Sequence, residues 1–220
     1  MVFVMNRLSE PRTIFVLLIA ILLVVACFIT GYAWGYLSGV NDGRTSVIEK
    51  ILYAEGVLLN SSSGDILTEL RHNFPERLNH TELLTWESTT LNYTQKPIEK
   101  RTTNPIEILK RGLGKCGEFS IVYVSICLAN DIPARLVTDL VIDHMWAEAN
   151  PSKDGRTWVH VEPTDSCVRI QKEEKGIYDS PATVNNPSLY KAKNFQMVLA
   201  FQVTEKRQVL IIDRTSFYKS

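Results

Sequence analysis

The chain has 220 residues, enough for one domain with a sizeable core and additional segments. Its 24 Lys and Arg balance 24 Asp and Glu, so no net field draws in nucleic acid, and no nucleic-acid partner is expected. The four cysteines include no CxxC pair and no Cys/His spacing suited to zinc, so no disulfide framework, metal or other cofactor is expected.

Residues 1–12 form a short flank containing Arg7 and Arg12. Thr13 to Leu37 contains no charged residue, and this run exceeds the roughly 20 apolar residues that a bilayer-spanning helix needs. Tyr32, Trp34 and Tyr36 cluster at its far end, where amphipathic rings favour the headgroup level. The pattern predicts one uncleaved transmembrane signal anchor over 13–37, making the protein single-pass. The two leading arginines place the remainder on the non-cytoplasmic side. A cleaved signal peptide is the alternative, and Val24-Val25-Ala26-Cys27 has the look of a lipoprotein cleavage box. Phe28 to Leu37 stays apolar beyond that cysteine, which favours the anchor. Asn-X-Ser/Thr sequons begin at Asn60, Asn79 and Asn92, but such triplets also arise by chance.

Residues 38–103 read as a helical linker and N-terminal lobe. Apolar residues recur at helical spacing from Val47 to about residue 59, then Asn60-Ser61-Ser62-Ser63-Gly64 breaks the helix, with Ser63 or Asp65 placed to cap the next. Helical patches follow at Ile66–Arg71 and Thr81–Glu87, then a polar loop from Ser88 to Asn104. Residues 104–220 read as the catalytic domain. Pro105 opens a short helix, Ile106–Lys110, which ends in Gly112-Leu113-Gly114. Phe119–Ala129 fits a buried helix stopped by Asn130-Asp131-Ile132-Pro133. Strands are predicted at Arg135–Ile142, His144–Ala149 and Thr157–Val161, a charged loop over Gln171–Lys193, and a closing hairpin at Met197–Val203 and Gln208–Asp213. One helix followed by antiparallel strands is an α+β pattern.

Gly114-Lys115-Cys116-Gly117-Glu118 sets a cysteine just before a helix, where exposed amides and the positive end of the helix dipole favour a thiolate. The flanking glycines leave a substrate carbonyl room to approach the sulfur, and backbone amides at this turn could serve as an oxyanion hole. Taken singly, Cys116 is equally a small buried cysteine at a helix start. His144 opens a predicted strand and could take the thiol proton and return it to a leaving nitrogen. Glu162 ends the next strand beside Pro163, where a carboxylate could hold the imidazole in the required tautomer. Asp165 also follows that strand, but it lies beyond Pro163, where turn aspartates commonly bond local amides.

Gly-Lys-Cys-Gly-Glu-Phe-Ser, Ile132-Pro133-Ala134-Arg135, Asp143-His144-Met145-Trp146-Ala147-Glu148 and Trp158-Val159-His160-Val161-Glu162-Pro163 together resemble the transglutaminase-like superfamily. Within it the likeness is to the catalytic core of peptide:N-glycanases, which carry Cys-Gly-Glu-aromatic, Asp-His-x-Trp-x-Glu and Trp-x-His-x-Asp in this order. The resemblance implies a papain-like α+β fold, with the nucleophile at a helix N-terminus packed on an antiparallel sheet. It also implies a Cys116–His144–Glu162 triad, with Glu where the family usually has Asp. Trp146, Glu148 and Trp158 match positions that help form the glycanase cleft, and Trp86 corresponds to an upstream tryptophan that supplies an oxyanion-hole N–H; for all three tryptophans, ordinary packing is the competing reading. The implied activity is a thiol amide hydrolase or acyl transferase acting on a protein, peptide or glycopeptide. A cysteine peptidase and a non-catalytic, membrane-tethered binding module are the rival readings. Eukaryotic-type glycanases are cytosolic and carry paired zinc-binding cysteines before the nucleophile. This chain has no such pairs and adds an anchor, which weakens transfer of the substrate more than transfer of the triad.

Overall fold

The computed structural model describes residues 46–73, 78–141, 144–164 and 196–219. The anchor expected at 13–37, Cys27, Asp143, Asp165 and the charged loop over 171–193 lie outside the described residues. Among the described residues no helix is long and apolar enough to cross a membrane. The chain divides into two compact units, Met1–Glu49 and Lys50–Ser220. Of the first unit only residues 46–49 are described, and they are helical.

The second unit opens with helix α1 over residues 50–61, which buries Ala54, Val57 and Leu58. Helices α2 (Gly64–Asn73) and α3 (His80–Thr90) follow. Ser63 caps α2 by accepting from the Ile66 amide at 3.4 Å. Asn79 caps α3: its carboxamide oxygen accepts from the amides of Thr81 and Glu82, and Glu82 returns a carboxylate to the Asn79 amide at 2.7 Å. One of the sequon asparagines is thus committed to a helix cap. Strand β1 (Asn92–Tyr93) pairs in parallel with β2 (Leu113–Gly114), and between them lies α4 (Pro105–Arg111). Gly112 ends α4 in the left-handed region at φ 68°, a conformation that glycine reaches without steric cost.

Helix α5 spans Cys116–Ala129 and is apolar nearly all round because it is enclosed nearly all round. It lies on an antiparallel sheet of order β5-β4-β3-β6-β7, formed by β3 (Ala134–Asp139), β4 (His144–Ala149), β5 (Val159–Val161), β6 (Val198–Val203) and β7 (Val209–Asp213). Residues alternate across the pleat. Leu136, Met145, Ala147, Val161 and Phe201 join the main core with Phe119, Val122 and Ile126 of α5. Val137, Trp146, Val198 and Ala200 form a second cluster with Tyr218 of a short helix, α6 (Thr215–Lys219).

The expected α+β class and antiparallel sheet are present, with local differences. Helix α5 begins at Cys116 rather than Phe119, because the Glu118 carboxylate accepts from the Lys115 amide at 3.2 Å and closes the first turn. Strand β3 ends at Asp139 rather than Ile142. The Asp139 carboxylate takes the amides of Val141, Gln196 and Met197 at 2.8, 2.9 and 3.2 Å, turning the chain there. Strand β5 starts at Val159 because Asp154 holds the amides of Arg156 and Thr157 in a turn, and the Thr157 hydroxyl first, then those amides, keep its carboxyl below the usual range.

Candidate active site

Cys116 opens α5, half-buried, at a point where the backbone is tightly confined. The β1–β2 pairing carries residues 92–94 alongside Gly114, and the Thr94 amide donates to the Gly114 carbonyl at 3.0 Å. A Cβ on Gly114 would stand 3.0 Å from the Glu118 Cβ and 3.3 Å from the Phe119 ring, so any larger residue there would have to push these side chains aside by a few tenths of an ångström. Glu118 is buried, and its second oxygen lies 3.7 Å from Arg111 Nη2 and 4.0 Å from Arg101 Nε. The turn that presents the sulfur is therefore anchored in backbone and charge alike.

His144 is the first residue of β4 and pairs with Asp139, the last of β3. Its Nε2 lies 2.8 Å from Glu162 Oε2, and the carboxylate is 1% exposed. His144 is also hydrogen-bonded to Cys116, so the nitrogen left for the sulfur is Nδ1. Burial alone pushes the His144 pKa down. The hydrogen bonds and opposite charges of Cys116 and Glu162 outweigh it and raise the imidazole to about 10. The two neighbours together therefore favour the protonated imidazole. The structure brings Cys116, His144 and Glu162 into one hydrogen-bonded chain, from the start of a helix, the start of a strand and the residue just past the end of its neighbour.

The remaining expected site residues are outside this hydrogen-bonded chain. Trp146 and Glu148, expected to help form a substrate cleft, are both 0% exposed in this structure. They follow His144 at a spacing of two, share its sheet face, and are closed over by α6. The Trp146 ring stacks on His144 at a centroid distance of 5.6 Å and meets Tyr218 edge-on at 5.1 Å. Glu148 is the hub of a buried ionic cluster. Arg135 donates through both Nε and Nη2 to Oε2, while Oε1 accepts from Arg214 Nε and Nη2 at 3.1 and 3.0 Å and from the Tyr218 hydroxyl at 2.7 Å. Burial, then the Glu148 charge, holds the Tyr218 hydroxyl well above its ordinary pKa.

Trp158 is half-buried on the approach to β5, with the Arg135 guanidinium 3.9 Å from its ring centroid and its own Nε1 donating to the Gly155 carbonyl at 3.2 Å. Trp86 lines a cavity of about 350 Å³ together with Leu70, Ile106 and Leu109 of α2 and α4, and Cys116 is not part of that lining. His160 is buried opposite Glu148 in the β4–β5 ladder. Burial first, then the neighbouring His144 charge, depresses its pKa to about 3, so it is neutral. Arg214 and Tyr218 gave no sequence signal, because their partners are 66 and 70 residues away. Arg135 stood in a family-like block, yet its role became visible only with the sheet register that sets it opposite Glu148.

With the geometry established, sequence comparison defines its class. Residues 71–163 match the model of the transglutaminase-like superfamily, and this stretch is a transglutaminase-like core. Several peptide:N-glycanases resemble it. A peptide-N(4)-(N-acetyl-beta-glucosaminyl)asparagine amidase of Oryza sativa subsp. japonica is 31% identical over 81 residues, covering 37% of this chain and 15% of that protein. The enzyme of the same name from Gallus gallus is 33% identical over 66 residues, covering 30% of this chain and 10% of that one. The likeness thus spans a small part of each relative's length. Among solved structures, a crystal structure of Rad4-Rad23 bound to a 6-4 photoproduct UV lesion aligns with a TM-score of 0.48 at 12% identity, covering 79% of this chain and 47% of that chain.

Proposed function

We propose that this protein is a thiol amide hydrolase or acyl transferase of transglutaminase-like type, with Cys116 as nucleophile, His144 as acid and base, and Glu162 as the group that orients the imidazole. The carrying observation is the continuous Cys116–His144–Glu162 hydrogen-bonded chain, with a 2.8 Å bond to an almost fully buried carboxylate. Such a chain delivers a sulfur nucleophile beside an imidazole that already holds a proton for the leaving group.

The sulfur attacks an amide carbonyl carbon, and the C–N bond breaks as His144 gives its proton to the departing nitrogen. A thioester remains. His144, now neutral, takes a proton from water or from an incoming amine, which attacks the thioester and releases the sulfur. Glu162 faces the imidazole throughout and favours its protonated form. The likeness to the amidases favours the side-chain amide of a glycosylated asparagine as the group attacked. Hydrolysis there leaves aspartate and a glycosylamine.

The apolar run over 13–37 supports a further part of the proposal, a single-pass anchor with the domain on the non-cytoplasmic side. Protection of the domain from protease added to intact cells would reverse that orientation. The activity is tested with the full chain in detergent, incubated with N-glycopeptides and with matched unglycosylated peptides. Glycan loss with a gain of about 1 Da at the asparagine is the expected product, because amide nitrogen is exchanged for oxygen. Cleavage of the peptide backbone would establish a cysteine peptidase instead. No product, together with Cys116 no more reactive than free cysteine toward iodoacetamide, would leave a binding module.

A further inference from the structure

The two carbonyls at which β4 begins are both held by side-chain hydroxyls. Thr138 on β3 donates to the His144 carbonyl at 2.9 Å. Ser120, one turn into α5, lies 3.0 Å from the Met145 carbonyl and 2.8 Å from the Cys116 carbonyl. Ser120 is 0% exposed. A hydroxyl has one proton, so it is shared between the carbonyl of the nucleophile and a carbonyl of the strand that carries the base.

The sheet register explains why a donor is needed from the helix. Strands β4 and β5 pair Ala147 with Val161, so Met145 falls opposite Pro163 on the continuation of β5. Proline has no N–H and can donate nothing to the ladder. The chain also leaves the strand there, with residues 163–164 helical. The Met145 carbonyl sits where β5 has run out, and a buried carbonyl without a partner costs about 1–3 kcal/mol. A serine at this position in a helix commonly bonds back to the carbonyl four residues earlier, and that alone would be unremarkable. The second acceptor, 25 residues away on the strand of the base, is what sets Ser120 apart.

We infer that Ser120 is a positioning residue that fixes the Cys116–His144 separation, because its hydroxyl fastens the first turn of α5 to the start of β4. The inference rests on the reading of Cys116 and His144 as nucleophile and base. The hydrogen bond between the two reacting groups also joins helix and strand at this end, but it is itself the contact whose length must be set, whereas the Ser120 hydroxyl ties the two main chains independently of the reacting groups. Removing the hydroxyl lets the helix end and the strand start drift by a fraction of an ångström, to which proton transfer between sulfur and imidazole is sensitive.

The test compares the full-length wild type with Ser120→Ala and Ser120→Thr in detergent, using iodoacetamide as probe and reading alkylation of Cys116 by peptide mass spectrometry from pH 5 to 10. Unfolding temperatures are recorded in parallel. Wild-type Cys116 should react at pH 6 well above the rate of free cysteine. Ser120→Ala should lower that rate about tenfold and move the whole profile toward that of a free thiol, while Ser120→Thr, which keeps the hydroxyl, should stay within about threefold of wild type. An unchanged profile in Ser120→Ala overturns the inference even if its unfolding temperature drops, since loss of stability alone leaves the profile in place. A wild-type profile matching free cysteine overturns the proposed nucleophile itself, and this inference with it.

Discussion

Replacing Glu162 with glutamine keeps the side-chain length and changes only charge and hydrogen-bonding capacity, which isolates the work of the carboxylate. In the wild type the carboxylate, itself almost fully buried, accepts from His144 Nε2 at 2.8 Å. A hydrogen bond to a charged group contributes about 1.5–3 kcal/mol, and each 1.36 kcal/mol is tenfold in rate, so the bond alone accounts for about 10–150-fold. Glutamine adds a second fault. With its NH₂ turned toward Nε2, it requires an unprotonated Nε2 and so disfavours the doubly protonated imidazolium from which the leaving group takes its proton. Glu162→Gln should therefore lower turnover by about 10²-fold or more. The assay is single-turnover release of glycan from a glycopeptide, with NMR titration of the His144 ring alongside. The ring should titrate below its wild-type value of about 10, because the hydrogen bond and charge of Glu162 are among the causes that raise it. Asp165→Asn should remain within a few-fold of wild type. A nearly silent Glu162→Gln beside a crippled Asp165→Asn would refute the assignment of the acid while leaving Cys116 and His144 in place.

His144 titrates higher folded than unfolded, so the stability it contributes is fully present below about pH 6.5 and is lost as the pH rises toward about 10. In Cys116→Ala one of the causes that raise it is gone, so the alkaline loss of unfolding temperature should still begin near pH 6.5 but be smaller and end at lower pH than in wild type. His160 behaves in the opposite sense. Its pKa of about 3 lies below the unfolded value, so stability should decline as the pH falls from about 6.5 toward 3, and denaturant titrations of His160→Gln should show a shallower decline. Glu148→Gln leaves Arg135 and Arg214 facing each other without their counterion. A broken buried ion cluster costs about 3–5 kcal/mol, so calorimetry should show a fall of about 6–20 °C in the unfolding temperature. Activity and unfolding temperature should not change in EDTA, and stoichiometric zinc lost together with folding would contradict that.

The positions of Cys116, His144 and Glu162 were legible in sequence because each sits at the boundary of an element, and boundaries carry local signals. A Gly-x-Cys-Gly run, a turn before an alternating strand and a Glu-Pro stop all describe their own neighbourhood. The faces of the strands were less legible. Trp146 and Glu148 alternate with Met145 and Ala147 as half-exposed strand residues do, and their enclosure depends on α6, a five-residue helix too short to show a period. Sequence placed Trp86 in a helix but could not tell which neighbours it would meet, since the packing of α3 against α2 and α4 is decided by contacts among separate segments. Ser120 was invisible for a related reason. Its importance comes from a missing N–H on Pro163, which matters only once the strand register is known.

The placement of β6, β7 and α6 has a practical consequence for anyone trimming the gene. The family match stops at residue 163, yet β3 pairs with β6 along four residue pairs, and Glu148 is satisfied by Arg214 and Tyr218. A clone ended at the family boundary would strip β3 down to an open edge and leave Glu148 with a single arginine partner. Bare edges of this kind recruit other chains, so such a product should come out of cells as inclusion bodies rather than as a smaller working enzyme.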